Sequence, residues 1–460
     1  MEKTVFDLII IGAGPAGIFT ALRYHERWPD RSILILEKGR PIEKRLCPKR
    51  EGKPCQHCSP CNITTGFSGA GAYSDGKLSL SPFIGGDLVE LFDVSVVQEA
   101  IRSVDDIYVR YGADKRIYGL ENPDRIERIR ARAIRSHIQL VENPLRHLGT
   151  EKSVEIYALL QKRLREQGVD IRFELPARDL VVEDGRVVGV VADRVYRAKS
   201  VVLAVGREGS EWLSTLIRRY QIAYDVGPVD IGVRVEVRNE VMKEINETMY
   251  EGKFIYYTPT FDDKVRTFCQ NPGGVVATEH YEGNIAVVNG HSYKSEELKT
   301  ENTNLAILVS HAFTRPFNQP VEYGKYIAGL GNMLSGNRII VQRFGDLKRG
   351  RRTTPERLFR GNLKPTLPDA LPGDLSLVLP YRTMTDIIEM LLALDHVAPG
   401  IASSETLLYG VEVKFYSQRL LVRNFETSLP GLYAIGDGAG WTRGLMQASV
   451  SGYLLGSMLE

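Results

Sequence analysis

The sequence predicts an α/β fold in which a mainly antiparallel β domain is inserted into a domain built on a parallel sheet. Apolar runs at Leu8 to Ile11 and Ser32 to Leu36 flank a glycine-rich turn and a helical pattern. Such an arrangement is typical of a parallel βαβ unit. From about 225 to 380, apolar and polar residues alternate between short turns, which indicates antiparallel strands with one solvated face.

The first turn has the composition of a Rossmann-like dinucleotide site. Its glycines have GxGxxG spacing: Gly12 permits the tight turn, Gly14 lets a pyrophosphate approach the backbone, and Gly17 lets helix and strand pack closely. The helix that follows presents free N–H groups and the positive end of its dipole to the phosphates. The predicted contacts in this turn are Gly12, Gly14, Pro15, Ala16 and Gly17.

The second apolar run ends on an acidic residue. Glu37 lies twenty residues after Gly17, where a carboxylate accepts hydrogen bonds from an adenosine ribose, and Lys38 follows as a further predicted contact. The alternative is an ordinary βαβ unit with a solvated glutamate. The combination of glycine motif, flanking strand and acidic residue favours the dinucleotide site.

Composition and charge leave the class of partner open. The chain has 460 residues, 43% hydrophobic and 25% charged, which is ordinary for a globular protein of two or three domains. The formal net charge of +2 argues neither for nor against a nucleic-acid partner. We expect a cytoplasmic protein without a membrane span, since no apolar stretch is long enough to cross a bilayer and no signal-peptide pattern precedes the first strand.

Changes of pattern along the chain predict the domain boundaries. Residues 1–224 form the first part of the Rossmann-like domain, with an irregular Cys/Gly-rich loop at 41–86 and a helical segment at 88–150. Residues 225–380 form the inserted antiparallel domain, which we expect to be the substrate (cap) domain. Residues 381–460 return to the first domain, beginning with an amphipathic helix and ending with a strand and a closing helix near Gly444.

Three separated motifs resemble those of FAD-dependent oxidoreductases of the glutathione-reductase-type fold, a three-layer ββα architecture. They are Gly12–Gly17 with Glu37, Val201–Gly206 and Leu432–Asp437. The resemblance implies that Asp437 lies near the ribityl and pyrophosphate groups of FAD. It implies that the amides of the last helix face the pyrimidine edge of the flavin. The further contacts that it implies are Ala177 (at the adenine), Val205, Gly206, Gly436, Gly444, Leu445 and Met446.

Other stretches are similar to a narrower group, the uncharacterised prokaryotic FAD-dependent dehydrogenases (NAD(FAD)-utilising dehydrogenase family). The matching stretches are Cys61–Lys77, Asn289–Tyr293 and Leu408–Tyr416, and by analogy Gly69, Gly71 and Ser74 contact FAD. No second GxGxxG follows a strand in residues 140–300. NAD(P)H would therefore bind transiently over the flavin, or electrons arrive by another route.

A cluster of cysteines in the loop after the second strand suggests a metal or redox site. Cys55, Cys58 and Cys61 have CxxCxxC spacing, and Cys47 lies just upstream. An iron–sulfur cluster, a four-thiolate zinc site and a redox-active thiol pair all fit this spacing. Unligated thiols in a glycine-rich loop are the structural alternative; the spacing favours a metal site and leaves the choice between an iron–sulfur cluster and zinc open.

Three residues in the second half of the chain are candidates for proton transfer. His291 follows a predicted strand and could titrate near neutrality, although a hydrogen-bonded loop histidine is the simpler interpretation. Glu412 and Lys414 alternate on one strand and so share a face, where an ion pair is at least as good an interpretation as catalysis.

We therefore expect an FAD-dependent oxidoreductase that transfers a hydride through flavin N5 to or from an unidentified small organic substrate. The alternatives are a flavin-dependent RNA-modifying enzyme and a non-catalytic flavin or metal redox sensor. The arginine-rich stretches at 125–135 and 348–352 would favour RNA only if they formed one continuous patch, and solvated faces are the simpler interpretation. The sequence leaves the oligomeric state open.

Overall fold

The computed structural model describes residues 4–48, 56, 58–73, 76–148, 150–249, 251–281, 285–291, 296–414 and 418–460. Over these residues the α-helices are α1 Pro15–Arg27, α2 Val94–Arg110, α3 Pro123–Arg135, α4 Thr150–Glu166, α5 Ser210–Tyr220, α6 Asn239–Thr248, α7 Pro320–Ser335, α8 Phe344–Leu347, α9 Pro355–Arg360, α10 Tyr381–Leu394 and α11 Leu445–Met458. In the described part of the chain, no helix has the length and apolar character needed to cross a bilayer.

The strands follow the same chain order. They are β1 Val5–Ile11, β2 Ile33–Leu36, β3 Lys77–Ser79, β4 Ile138–Val141, β5 Leu145–His147, β6 Asp170–Arg172, β7 Asp179–Glu183, β8 Arg186–Val191, β9 Val195–Leu203, β10 Tyr224–Asp225, β11 Val229–Arg238, β12 Lys253–Tyr257, β13 Lys264–Asn271, β14 Val275–Tyr281, β15 Ile285–His291, β16 Asn302–His311, β17 Ile340–Arg343, β18 Leu371–Pro372, β19 Leu407–Lys414, β20 Arg419–Leu420 and β21 Leu432–Ala434.

The chain divides into two compact units, and their limits differ from the predicted domain boundaries. The first unit comprises residues 1–118, 144–225 and 417–460, and the second comprises 119–143 and 226–416. Residues 381–416 were predicted to belong to the first domain, but α10 and β19 lie in the second unit, where β19 pairs with β11. The segment predicted to be helical at 88–150 also contains β4 and β5, and β4 extends the sheet of the second unit by pairing with β12.

The first unit has a Rossmann-like sheet, as the sequence predicts. Its parallel strands run in the order β6-β2-β1-β9-β21, and β9 also continues antiparallel into β8 and β7. Strands β1 and β2 are in register with Leu8 opposite Ile33 and Ile11 opposite Leu36, and all four side chains are buried. Buried apolar residues on both faces explain why these strands read as continuous apolar runs. The predicted hairpin at Asp184-Gly185 is confirmed between β7 and β8.

The second unit confirms the predicted antiparallel insertion. Its main sheet has the order β18-β17-β19-β11-β16-β13-β12-β4, and every neighbouring pair is antiparallel except β17 with β18. On β11, Ile231, Val233 and Val235 join an apolar core that includes α10. Because side chains alternate across a strand, Arg234 and Glu236 point to the opposite face, and both are fully buried there.

A pair of carboxyl groups lies between α10 and the sheet of the second unit. Asp386 is fully buried, and its Oδ1 accepts a 2.7 Å hydrogen bond from Thr258 Oγ1, whereas its Oδ2 has no hydrogen-bond partner among the described residues. Arg382 pairs with Asp263, and the imidazole of His311 lies near that carboxylate. Burial, reinforced by Asp263, raises the pKa of Asp386 to about 6.

The buried Asp386 carboxyl predicts a pH-dependent stability. An unfolded aspartate loses its proton near pH 4, whereas Asp386 in the folded chain loses it near pH 6. The folded state therefore holds this proton more tightly, and its contribution to stability falls as the pH rises from about 4 to about 6. Over this interval the wild-type protein should lose at most about 3 kcal/mol of its free energy of unfolding relative to Asp386→Asn. Its melting temperature should fall relative to that of the variant.

Exposed Asp369 provides the matched control for that measurement. Asp369→Asn should follow the wild-type melting curve at each pH. Parallel wild-type and Asp386→Asn curves between pH 4 and 7 would show that Asp386 does not hold its proton in this way.

Candidate functional site

The glycine turn between β1 and α1 is shaped by close backbone contacts. Gly12 has a φ of +105°, and a Cβ added to it would lie 2.4 Å from the carbonyl oxygen of Ala204. A Cβ on Gly17 would lie 2.1 Å from the carbonyl oxygen of Gly12. Gly14 is different, because among the described residues no atom outside its chain neighbours lies within 4 Å of its Cβ position. Gly12 and Gly17 are thus required by the fold, while Gly14 leaves space for a ligand.

Glu37 connects the glycine turn to the loop that follows β2. Its Oε2 accepts a 2.8 Å hydrogen bond from the amide of Ala13, and its Oε1 accepts bonds from the amides of Gly39 (2.8 Å) and Gly66 (3.2 Å). The side chain is 5% exposed. The sequence predicted a ribose ligand here, with a solvated glutamate as the alternative; burial excludes the alternative, and the ribose contact stays a prediction. The structure shows that Glu37 holds three backbone segments together, a role that depends on contacts remote in sequence.

The other two motifs of the predicted site end at the same edge of the sheet. β9 and β21 are parallel neighbours, with Val201 opposite Leu432 and Leu203 opposite Ala434. A short 3-10 turn follows each strand, at Arg207–Gly209 and Asp437–Ala439. The carboxyl edge of a parallel sheet is where ligands bind in such folds.

These two turns contact each other through predicted site residues. A Cβ on Gly438 would lie 2.7 Å from the carbonyl oxygen of Gly206, and the side chain of Val205 packs against both Gly209 and Gly438. The Cβ position of Gly436 is 3.0 Å from the Cβ of Ala16 in α1. The structure therefore brings Val205, Gly206, Gly436 and the start of α1 together.

Helices α1 and α11 lie side by side with their N-termini at the same end. A Cβ on Gly452 would lie 2.0 Å from the carbonyl oxygen of Ala16, and one on Gly456 would lie 2.8 Å from that of Thr20. α11 begins seven residues before Gly452, whereas α1 begins only one residue before Ala16. At their N-terminal ends, α11 therefore extends six residues beyond the start of α1. At 1.5 Å per residue this is about 9 Å. Two sets of unpaired helix N–H groups are thus staggered along one line.

Asp437 lies beside basic groups at this edge. Its Oδ1 accepts a 2.6 Å hydrogen bond from Thr442 Oγ1, and its Oδ2 lies 3.6 Å from Nε of Arg207. Burial raises the pKa of Asp437, while Arg207, Thr442 and Arg443 act in the opposite direction. Its side chain remains 19% exposed, so it is accessible to a ligand.

The loop at 61–73 packs against both helix N-termini. The amide of Ser68 donates a 2.7 Å hydrogen bond to the carbonyl of Ala13, and the Cβ position of Gly69 is 3.5 Å from the Cα of Gly14. The Cβ position of Gly71 is 3.0 Å from Cδ1 of Leu445 in the first turn of α11. Gly69 and Gly71 thus lie beside the starts of α1 and α11, their contact with FAD stays a prediction, and Ser74 lies outside the described residues.

The sequence analysis missed Arg45, which organises this loop. Arg45 is 3% exposed, and its guanidinium donates to the carbonyls of Asn62 (2.9 Å), Ile63 (2.7 Å) and Phe67 and to the Ser68 hydroxyl (2.9 Å). Burial lowers the pKa of Arg45 to about 10, partly offset by Tyr73, Glu37 and Cys61. A basic residue in a polar loop gives no sequence signal of burial.

The remaining predicted FAD contacts lie around the same sheet edge or close to it in the chain. Lys38 Nζ donates a 3.2 Å hydrogen bond to the carbonyl of Glu208, which follows β9. Ala177 is half-buried between β6 and β7, next to Arg178. Met446 is buried in the first turn of α11, and Gly444 is the residue that precedes this helix. A nucleotide role for any of these residues stays a prediction.

The cysteine loop is only partly described. Cys47 is half-buried, Cys58 and Cys61 are exposed, and Cys55 lies outside the described residues. Burial acts to raise the pKa of Cys61, but backbone hydrogen bonds from Ile63 and Thr64 outweigh it, and the pKa lies below its usual value. In the described part of the chain, no three His, Cys, Asp or Glu side chains are arranged to hold a metal. The four-thiol site therefore stays a prediction.

In the second unit, Glu412 and Lys414 do form the ion pair considered from the sequence. Lys414 Nζ lies 3.2 Å from Glu412 Oε1. The sequence analysis missed the third member, Arg234, which donates to both carboxylate oxygens of Glu412 at 2.8 and 2.9 Å. Arg234 and Glu412 are both fully buried, whereas His291 is exposed at the end of β15. The two hydrogen bonds from the buried Arg234 favour a structural role for Glu412.

The residues of the first unit fit an FAD molecule. Open space above Gly14 and the unpaired N–H groups of α1 suit a diphosphate. The N-terminus of α11, further along the same line, suits the electron-rich pyrimidine edge of a flavin. Between these two points, Asp437 offers a partly exposed carboxyl to the hydroxyl groups of a ribityl chain.

Comparison with known proteins supports FAD as the cofactor. Residues 95–231 match the family model "FAD binding domain", and residues 228–415 match "FAD-dependent protein, C-terminal domain-like". A protein from Clostridium beijerinckii described as uncharacterized is 24% identical over 96% of this chain and 79% of its own length. The predicted Rossmann-like fold, the FAD cofactor and the FAD-dependent class are confirmed at this level.

Two further likenesses are shorter or more distant. A probable NADPH:adrenodoxin oxidoreductase from Dictyostelium discoideum is 53% identical over 38 residues, which is 8% of this chain and 7% of that protein. The structure of glycine oxidase from Geobacillus kaustophilus aligns with 100% of this chain and 96% of its own, at 14% identity and a TM-score of 0.38.

Gly12 and Gly14 should respond differently to alanine. Gly14 has a φ of −76° and free space at its Cβ position, so Gly14→Ala should fold normally but bind FAD at least about tenfold more weakly, because the methyl occupies the approach of the diphosphate. Gly12→Ala should instead unfold at a lower temperature because its Cβ collides with Ala204. Thermal melting of the apoprotein and FAD titration measure the two effects. Wild-type FAD affinity in Gly14→Ala would contradict the assignment.

The cysteine spacing predicts bound metal. Anaerobically purified protein should contain iron or zinc, and Cys58→Ser or Cys61→Ser should lose it, since thiolates at this spacing suit either metal. Elemental analysis makes the measurement, with Cys269→Ser, remote in sequence, as the control. Absence of both metals from the wild-type protein would remove the two metal interpretations and leave a thiol pair or unligated thiols.

Proposed function

We propose that this FAD-dependent oxidoreductase transfers a hydride between a small organic substrate and the flavin, with the second unit contributing the substrate-binding surface. The observation that carries the proposal is the stagger of α1 and α11, which provides two separated helix N-termini, one for the diphosphate and one for the flavin of a single extended cofactor. When bound, FAD supplies two-electron transfer at N5. The substrate remains unidentified.

The residues of the first unit would bind and orient the cofactor. Glu37 would receive the adenosine ribose while it holds the glycine turn in place. The amides at the start of α1 would bind the diphosphate, and Asp437 would bind the ribityl chain. The amides of Leu445 and Met446 would stabilise the negative charge that a reduced flavin carries near its pyrimidine edge.

In the second unit, we propose a structural role for Glu412 and keep His291 as the candidate proton donor. Glu412 is fully buried and held at both oxygens by Arg234, so its protonation would leave a buried cation without a full counter-charge. His291 is exposed at a strand end, where it can exchange protons with solvent. Lys414, 16% exposed, would orient an anionic group of a substrate.

The narrower relationship to NAD(FAD)-utilising dehydrogenases and the glutathione-reductase type of fold belong to the same proposal. They rest on the motifs that the sequence shares with those groups. A cytoplasmic location rests on the clustering of four cysteines, which is unlike a secreted disulfide framework. Transient use of NAD(P)H is consistent with the lack of a second GxGxxG motif in residues 140–300.

The basic stretches give no reason to prefer an RNA substrate. On α3, Arg130 pairs with Glu127 and Glu142, and Arg132 pairs with Glu244. In the second stretch, Arg351 pairs with Asp346 at 2.8 Å. These described arginines have carboxylate partners within the protein, as expected of ordinary solvated faces.

The proposal is tested on the purified protein. It should be yellow, should release FAD on denaturation, and should lose its visible absorbance when NADH or NADPH is mixed with it anaerobically, because reduction removes the colour of the flavin. A matched Gly14→Ala sample should show weaker colour and less bleaching. Protein that stays colourless with excess FAD would contradict the cofactor assignment. Stable flavin with no reduction by any tested donor would favour a sensor.

A further inference from the structure

The guanidinium of Arg45 connects two parts of the loop, the turn at Asn62 and Ile63 and the segment at Phe67 and Ser68. Its Nε and Nη2 donate to the carbonyls of Asn62 and Ile63, in the turn closed by the hydrogen bond from the amide of Thr65 to the carbonyl of Cys61. Its Nη1 donates to Phe67 and Ser68, the segment that packs on the glycine turn. One guanidinium thus joins the turn that begins at Cys61 to the segment beside the predicted diphosphate site.

The surroundings of Arg45 fix the position of its guanidinium. The guanidinium lies 4.7 Å from the ring centroid of Tyr73, and the Tyr73 hydroxyl donates a 2.7 Å bond to the carbonyl of Arg45. A Cβ on Gly66 would lie 2.7 Å from Cδ of Arg45, so the backbone at Gly66 packs directly on the side chain. Lysine cannot replace this arrangement, because its ammonium is a single point of donation and lacks the planar fork.

The segment that Arg45 holds reaches the predicted FAD site in one step. The amide of Ser68 donates to the carbonyl of Ala13, and Gly69 approaches Gly14 to 3.5 Å at its Cβ position. Ser68 is fully buried, and its hydroxyl accepts from Arg45. A change in the position of Arg45 is therefore transmitted to the backbone that borders the open space above Gly14.

We propose that Arg45 is a positioning residue for FAD, which acts by holding residues 66–69 against the glycine turn. This inference rests on the proposed function. Without the guanidinium, four acceptors of the loop lose their donor, and the loop must be ordered again each time FAD binds. The cost then appears in FAD affinity as well as in stability. The same residue ties the environment of Cys61 to the cofactor site.

The test compares Arg45→Lys with Arg40→Lys. Arg40 lies in the same segment, but its side chain is 50% exposed and lies 3.4 Å from Glu174, so its replacement provides the matched control. Arg45→Lys should raise the Kd for FAD by about tenfold or more relative to Arg40→Lys, as expected for lost hydrogen bonds to a charged group. Titration of apoprotein with FAD, followed by flavin fluorescence, measures the Kd, and melting of the apoprotein measures the fold.

Ser68→Ala separates positioning from general stability. It removes only the hydroxyl contact next to Ala13, and it should weaken FAD binding several-fold while lowering the apoprotein melting temperature less than Arg45→Lys does, because the three carbonyl contacts of Arg45 remain. This variant decides the result if Arg45→Lys does not fold. The proposal is overturned if both variants bind FAD within about twofold of Arg40→Lys, whatever their melting temperatures. Failure of the wild-type protein to bind FAD would instead remove the proposed function on which this inference rests.

Discussion

The architecture of the first unit depends on close backbone contact between α1 and its neighbours. Gly17 lets α1 pack against the turn at Gly12, and Gly452 lets α11 pack against the Ala16 carbonyl. Any side chain at either glycine would force the elements apart, since a Cβ there would lie about 2 Å from a carbonyl oxygen. These contacts set the lateral and axial position of the two helices. They thereby fix the distance between the two helix N-termini that a dinucleotide would span.

Once the helices are placed, two charged side chains fix the loop that completes the site. Glu37 binds the amides of Ala13, Gly39 and Gly66, and Arg45 binds carbonyl and hydroxyl oxygens between Asn62 and Ser68. One is an acceptor and the other a donor, so together they satisfy both kinds of backbone group in a segment with little regular structure. Irregular backbone can be buried only if its polar groups find such partners.

The sequence was sufficient for features encoded by neighbouring residues. The strand–turn–helix at Leu8 to Tyr24, the hairpin at Asp184-Gly185 and the alternating strands of the insertion all follow from local periodicity and turn chemistry. The sequence was insufficient where a residue interacts with another that lies far away in the chain. The amphipathic pattern at 384–394 predicted a helix correctly, but not that its apolar face covers β11 and β16 rather than the first sheet. Arg45 and Arg234 look like surface residues until their distant partners are known.

The ion pair in the second unit illustrates why a motif alone does not define a catalytic group. Glu412 and Lys414 share a strand face, which fits both catalysis and an ion pair. Arg234, distant in sequence, occupies both oxygens of Glu412 and also donates to Asn289 and to the carbonyl of Cys269. A carboxylate held in this way has its negative charge stabilised and its geometry fixed. A proton donor in this unit must therefore come from a group with freer access to solvent, and among the three predicted candidates His291 meets that condition best.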